Sequence, residues 1–187
     1  MPDGKTIVGP DASNDKKLVA EDITSNAITN IGTLTSSICT VLYDPKTRSL
    51  FAGDENGHLH QYQKAKDTTS FVLVKDHGDI GLGELRSSAL IGSVAIFGGS
   101  NSCLVAVDVP SKEVFTGTFK TAFRCVYSLQ ACEVSKSSTL LSVGGYDPSY
   151  SSSVTDILEV ETQEDVPGNT ISTKTEKSHP TQKVVPD

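Results

Sequence analysis

Apolar residues in this chain come in short runs, each closed by glycine, asparagine, aspartate or proline. Ile38 to Tyr43, Leu50 to Gly53, Leu59 to Gln63 and Phe71 to Lys75 read as four strands. The turns between the first three are Asp44-Pro45-Lys46-Thr47-Arg48 and Asp54-Glu55-Asn56-Gly57. Proline presets φ and glycine accepts positive φ, so Asp-Pro and Asn-Gly are strong turn signals. Leu85 to Ile91, Val94 to Gly98, Cys103 to Val107 and Val114 to Phe119 repeat the scheme. Cys125 to Val134, Leu140 to Gly144 and Asp156 to Val160 supply three strands of a third unit. No window sustains a 3.6-residue period, which excludes amphipathic helices as the main element.

The units recur at a fixed spacing. Phe51-Ala52-Gly53, Phe97-Gly98-Gly99 and Val143-Gly144-Gly145 align at two successive offsets of 46 residues. Periods of this size with several short strands per unit point to propeller blades. The expected fold is all-β, a β-propeller-type repeat of four-stranded blades with about three blades present. Gly53, Gly57, Gly98, Gly99, Asp108, Gly144 and Gly145 are its structural repeat positions. The second strand is expected near the crowded centre of the ring, where small residues let backbones approach. The expected organisation is a flexible segment over 1–16 and a half blade over 17–35, with strands near Leu18 to Ala20 and Ile28 to Leu34. Blades over 36–78, 79–120 and 121–161 follow, then a polar, disordered tail over 162–187. A ring ordinarily needs four to eight blades, so this count implies an incomplete one. Further blades from a longer parent chain or a second subunit would complete it.

Composition narrows the chemistry. Apolar residues make up 36% of the 187 residues, a share lowered by the polar ends, and tryptophan is absent. The net charge of −7 argues against nucleic-acid and anionic-membrane partners. The longest apolar stretch, around Ala89 to Phe97, is too short to span a bilayer. Cys39, Cys103, Cys125 and Cys132 lie mostly in apolar strands at spacings that match no zinc module. They read as reduced cysteines of a cytoplasmic protein, in keeping with an N-terminus (MPDGKTIVG) that has no basic-then-apolar pattern.

Several constellations carry chemistry in outline. His58 and His60 share a strand face, yet no carboxylate or cysteine accompanies them at ligand spacing. Asp54-Glu55-Asn56-Gly57 lacks the carboxylates of a calcium frame, and Asp147, Ser149, Ser151, Ser153 and Asp156 are mostly hydroxyls. Asp76, His77 and Asp79 with Ser87-Ser88 hold the ingredients of a triad without the strained turn that exposes a nucleophilic serine. Gly78 to Gly83 has no following helix to hold phosphate and reads as the link between two blades. Catalytic residues, cofactors and metals are therefore not expected. The polar, aromatic insertion around Tyr146, Asp147, Tyr150 and Ser151 is the candidate protein contact, since projecting loops of this kind are common recognition surfaces.

On these residues the chain resembles WD40-type β-propeller repeats. The stretch YDPKTRSLFAGDENGHLHQYQ matches the run from first to third strand, and Val107-Asp108 falls where that family often has Trp-Asp. Tyr62-Gln63 replaces the pair in the first unit. Kelch repeats are the second choice, because LLSVGGYD and VAIFGGSN are similar to that family's double-glycine strand ends. The resemblance implies a non-catalytic scaffold or adaptor that binds other proteins. The alternatives are a structural subunit of a large assembly, or a Kelch-like or ion-binding propeller.

Overall fold

The structure, a computed structural model, describes residues 4–66, 68, 70–115, 119–121, 123–135, 138–147, 152–161 and 172–175. Among the described residues sixteen strands form four antiparallel sheets. Sheet I holds β1 (Thr6–Asp11), β2 (Asn14–Asp22) and β3 (Ala27–Thr33). Sheet II holds β4 (Ile38–Asp44), β5 (Ser49–Asp54), β6 (His58–Lys64) and β7 (Phe71–Asp79). Sheet III runs through β8 (Leu85–Ile91), β9 (Val94–Gly99) and β10 (Cys103–Asp108). The outer edge of β10 is paired by both β11 (Glu113–Val114) and β12 (Phe119–Lys120). Sheet IV holds β13 (Cys125–Ser135), β14 (Ser138–Asp147), β15 (Ser152–Glu161) and β16 (Ser172–Thr175). Each sheet is a meander, and the four stack in chain order without closing into a ring. The fold is an all-β, propeller-like repeat, and the ring is open.

Two boundaries shift from expectation. The segment expected to be a flexible lead, 1–16, contains β1 and the start of β2, because Ile7 to Pro10 pair with Leu18 to Glu21. The segment expected to be a disordered tail contains β16, which pairs with Leu158 to Glu161. The strand expected over Val114 to Phe119 is represented by β11 and β12 at its two ends.

Three apolar clusters hold the stack, one at each junction. Leu18, Leu34, Ile38, Leu50, Ala52 and Tyr62 join sheets I and II. Phe51, Leu59, Leu85, Phe97 and Val105 are among those joining II and III. Ile96, Leu104, Phe123, Val126 and Val143 are among those joining III and IV. β5 and β9 are buried along their whole length, which is why their sequences, SLFAGD and VAIFGG, lack polar alternation. Burial of each such aliphatic or aromatic side chain contributes about 1.5–3 kcal/mol.

The first strands meet across the two junctions that join sheets II, III and IV. Thr40 Oγ1 on β4 lies 2.9 Å from Ser88 Oγ on β8, and Ser87 on β8 donates to the Val126 carbonyl on β13 at 3.4 Å. The glycines of the second strands make room for this. A Cβ on Gly53 would sit 2.5 Å from Leu85 Cδ1, and one on Gly98 would sit 2.6 Å from Val126 Cγ1. Glycine here is a matter of space between sheets and not of backbone angle.

Register also revises the repeat alignment. Every first strand of sheets II to IV carries a bulge at its start, and Thr40, Ser87 and Ser128 face Gly53, Gly98 and Gly144 across it. The equivalent glycines are therefore 45 and then 46 residues apart, not 46 twice. Gly99 and Gly145 correspond to Asp54. At Gly145 a Cβ would collide with Phe123, whose ring fills the place, and at Gly99 it would collide with the Leu82 and Glu84 carbonyls. At Asp54 the carboxylate does the work instead. It is fully buried and accepts from Thr35 Oγ1 at 2.6 Å and from the N–H groups of Ser36, Asn56 and His58 at 3.0–3.1 Å. Gly57 completes that turn at φ +83°, with the Gly83 carbonyl 2.9 Å from where a Cβ would be.

Candidate functional site

The three bulges lie at one end of the stack, together with the turns that join second to third strands. An extra residue in a strand re-aims its side chain. The extra residues are Cys39, Arg86 and Tyr127, one from each of sheets II, III and IV. They converge through a shared carboxylate. Glu84 forms an ion pair with Arg86 and lies 3.9 Å from Cys39 Sγ, and the Arg86 guanidinium sits 5.1 Å from the Tyr127 ring centroid. Arg86 is exposed, and Tyr127 is 49% exposed although it sits against a cation. A cation over an aromatic face is attracted by about 0.5–1 kcal/mol at an exposed site. The Cys39 thiol also donates to the Ser37 carbonyl. Burial, then the Glu84 charge, raises its pKa, so the thiol stays protonated and is a poor nucleophile.

Two of the expected contact residues, Tyr146 and Asp147, lie at the same end. Tyr146 closes β14 opposite Cys125, is 40% exposed, and its carbonyl accepts from the Arg124 N–H at 2.8 Å. Asp147 is the last residue of β14 and pairs with Ser152. Tyr150 and Ser151 lie outside the described residues.

The histidines are engaged separately. His58 Nδ1 lies 2.9 Å from Thr35 Oγ1 and 3.8 Å from Asp54. His60 reaches Tyr62 Oη at 3.2 Å through Nδ1 and Asp76 at 3.6 Å through Nε2. His77 Nε2 is 3.3 Å from Gln61 Oε1, and Gln61 Nε2 donates to the Val109 carbonyl at 3.1 Å, tying sheet II to sheet III. Burial, with a smaller push from Lys75, lowers the His77 pKa to about 4, so the ring is neutral at pH 7. Among the described residues no three potential metal ligands cluster. Ser88 bonds Thr40 and Ser87 bonds a main-chain carbonyl, so neither is turned to a histidine as a nucleophile would be. Asp54 is engaged by donors from its own turn and from the loop before β4, and the Asp54–Gly57 segment is a hairpin turn.

No protein-family model matches the chain, and no curated protein matches it. Its fold does have a counterpart. The chain is similar to the crystal structure of the computationally designed Ika4 protein, at 11% identity and a TM-score of 0.55, over 91% of this chain and 85% of that one. At that identity the likeness is one of fold alone.

The positions expected to mark the repeat divide accordingly. Gly53, Gly98 and Gly144 share one register position, and Gly99 and Gly145 share the next. Val107-Asp108 stands in register with Tyr62-Gln63, since Leu104 pairs with Gly98 as Leu59 pairs with Gly53. Asp108 accepts from the Ser111 N–H at 2.9 Å and shapes the turn after β10. Cys39, Arg86 and Tyr127 escape a reading by residue type because they share no chemistry. Their signal is what flanks them: Ile38-Cys39-Thr40, Leu85-Arg86-Ser87 and Val126-Tyr127-Ser128 all read aliphatic, variable, hydroxyl. Among the described residues no helix is long and apolar enough to cross a membrane.

Proposed function

We propose that the chain is a non-catalytic protein-interaction scaffold built on WD40-like blades, with its contact surface at the bulge end. The observation that carries this reading is the Arg86–Tyr127 pair, exposed yet fixed by Glu84 at the meeting of three sheets. Arginine and tyrosine are enriched among the residues that dominate protein–protein binding energy, and a pre-positioned side chain loses less entropy on binding. Tyr146 extends the same surface. The four free cysteines are in keeping with a reducing, cytoplasmic setting. A photo-crosslinking residue at Tyr127, with quantitative mass spectrometry of the adducts, tests the assignment. The expected result is one or a few discrete adducts that fall about tenfold when Arg86→Ala is added. Adducts unchanged by Arg86→Ala would place the contact elsewhere.

The reading as a structural subunit of a larger assembly has its own support. Ile7 and Ile28 on sheet I, and Val134 and Ile157 on sheet IV, are all at least half exposed. Large exposed apolar residues on both terminal sheets suit surfaces that further blades would cover.

A further inference from the structure

The bulge end has unspent donors that carry positive charge. Four carboxylates there already hold partners. Asp54 is engaged as described, Glu55 accepts from Ser36 Oγ at 2.9 Å, Asp79 accepts from the Gly81 N–H at 2.8 Å, and Glu84 holds Arg86. The cations are less engaged. Lys120 opens the pairing with β10 at Cys103, and Arg124 is pinned through its main chain between Ser102 and Tyr146. Both are exposed, and neither side chain has a partner among the described residues.

Arg86 is only partly spent. A guanidinium has five N–H donors in a rigid fork, and among the described residues Glu84 takes one of them, on Nη2. Nη2 carries two N–H groups. Whichever one Glu84 takes, the other lines up with Nε–H or with Nη1–H as a pair. A carboxylate matches such a pair with two parallel, charge-assisted bonds. Glu84 at its side sets the charge. A monoanion balances Arg86, whereas a dianionic phosphate would meet Glu84 as a like charge.

The chain's own carboxylates are a poor match for this fork. β1 starts and β15 ends at the far end of the stack, where Thr6 pairs with Asp22 and Glu161 pairs with Ser138 and Ser172. Residues before β1, and those between β15 and β16, therefore join the stack away from Arg86. The 148–151 stretch, Pro-Ser-Tyr-Ser, has no carboxylate. The sequence after Thr175 sets Lys177 and Lys183 against Glu176 and Asp187, so its charges cancel.

We propose that the bulge end binds an acidic segment of a partner protein, with one aspartate or glutamate seated in the Arg86 fork, an assignment that rests on reading this end as the contact surface and adds the partner's chemistry. Tyr127 and Tyr146 offer apolar surface to the residues beside that carboxylate. Lys120 and Arg124 extend the positive field toward sheet IV and favour an acidic segment locally, although the whole chain carries −7.

The test selects peptides from a random linear library on the intact purified chain, synthesises the winners and follows each at the Arg86 Nε–H signal by NMR. The expected result is aspartate or glutamate at one fixed position and a shift of that signal on binding. Changing that residue to its amide should weaken binding about tenfold. Arg86→Lys keeps the charge and loses the fork, so it should weaken binding about as much, with unchanged amide signals in β5 and β9 showing an intact fold. Winners that move the Arg86 signal without an acidic residue leave the contact surface standing and overturn its acidic preference. Winners that bind elsewhere, or no winners, overturn both. Undiminished binding by the Arg86→Lys protein, or displacement by inorganic phosphate at the same concentration, overturns the carboxylate fork. An Arg86 signal that moves in the free protein on Glu176→Gln or Asp187→Asn assigns the fork to the residues after Thr175 and overturns a separate partner.

Discussion

Gly53 and Gly98 touch the next sheet, and Gly144 does not. An added methyl at Gly98 would press on Cγ1 and Cβ of Val126, a stiff β-branched side chain packed in a core. At Gly144 it would meet only the Ser128 hydroxyl, which can rotate away, and then Thr155 at 3.9 Å. Gly98→Ala should therefore cost about 1–3 kcal/mol, and Gly144→Ala less than about 0.5 kcal/mol, in urea unfolding of the purified chain. A comparable loss at both would mean that something packs on the outer side of sheet IV. Turn residues at this scale are legible in the sequence, since Asp-Pro and Asn-Gly act through their own φ preferences. The partner of a glycine is not, because a neighbour some 30 residues on leaves no local mark.

Among the described residues the histidines all lie on β6 and β7, the third and fourth strands of sheet II. His77 is neutral in the fold because burial penalises its charged form. The unfolded chain takes up a proton near pH 6.5 and the folded one only near pH 4. Stability from this group is thus full above pH 6.5 and declines as pH falls from 6.5 toward about 4. His77→Gln should flatten the melting temperature against pH in that window while leaving the value at pH 8 close to wild type. An unchanged slope would assign the pH dependence to other groups. Strand positions were readable from the apolar runs to within a residue or two, but the bulges were not. A bulge adds one residue to one strand and leaves the apolar pattern almost intact. Aligning Phe51 with Phe97 therefore looked right and was one residue out.

The stack as a whole should be most stable in its middle. β5 and β9 are covered along both faces and both edges, whereas β1 is partly exposed along most of its length. Hydrogen exchange should be slowest in β9 and β5 and fastest in β1, with protection falling outward from the junction of sheets II and III. Uniform protection would mean that the chain opens only globally. Repeat and fold class were legible because four meanders in sequence need only local pairing. Of the surface proposed for contact only Tyr146 is legible in the sequence, since Arg86 and Tyr127 are brought together by register alone.

The exchange of Asp54 for Gly99 and Gly145 bears on how such a chain can be cut and rejoined. In sheet II the last residue of the second strand bonds the loop before the first strand, through Thr35 and Ser36. In sheets III and IV the loop packs over a glycine, bringing Leu82 and Phe123 in. Loop and strand end form a matched lock within one sheet, although they are some 20 residues apart. A chimera spliced just before Thr35 or Leu82 transplants the lock whole. One spliced in the 44–48 turn would mate a carboxylate with an apolar lid, so the units are interchangeable modules only along the first of these seams.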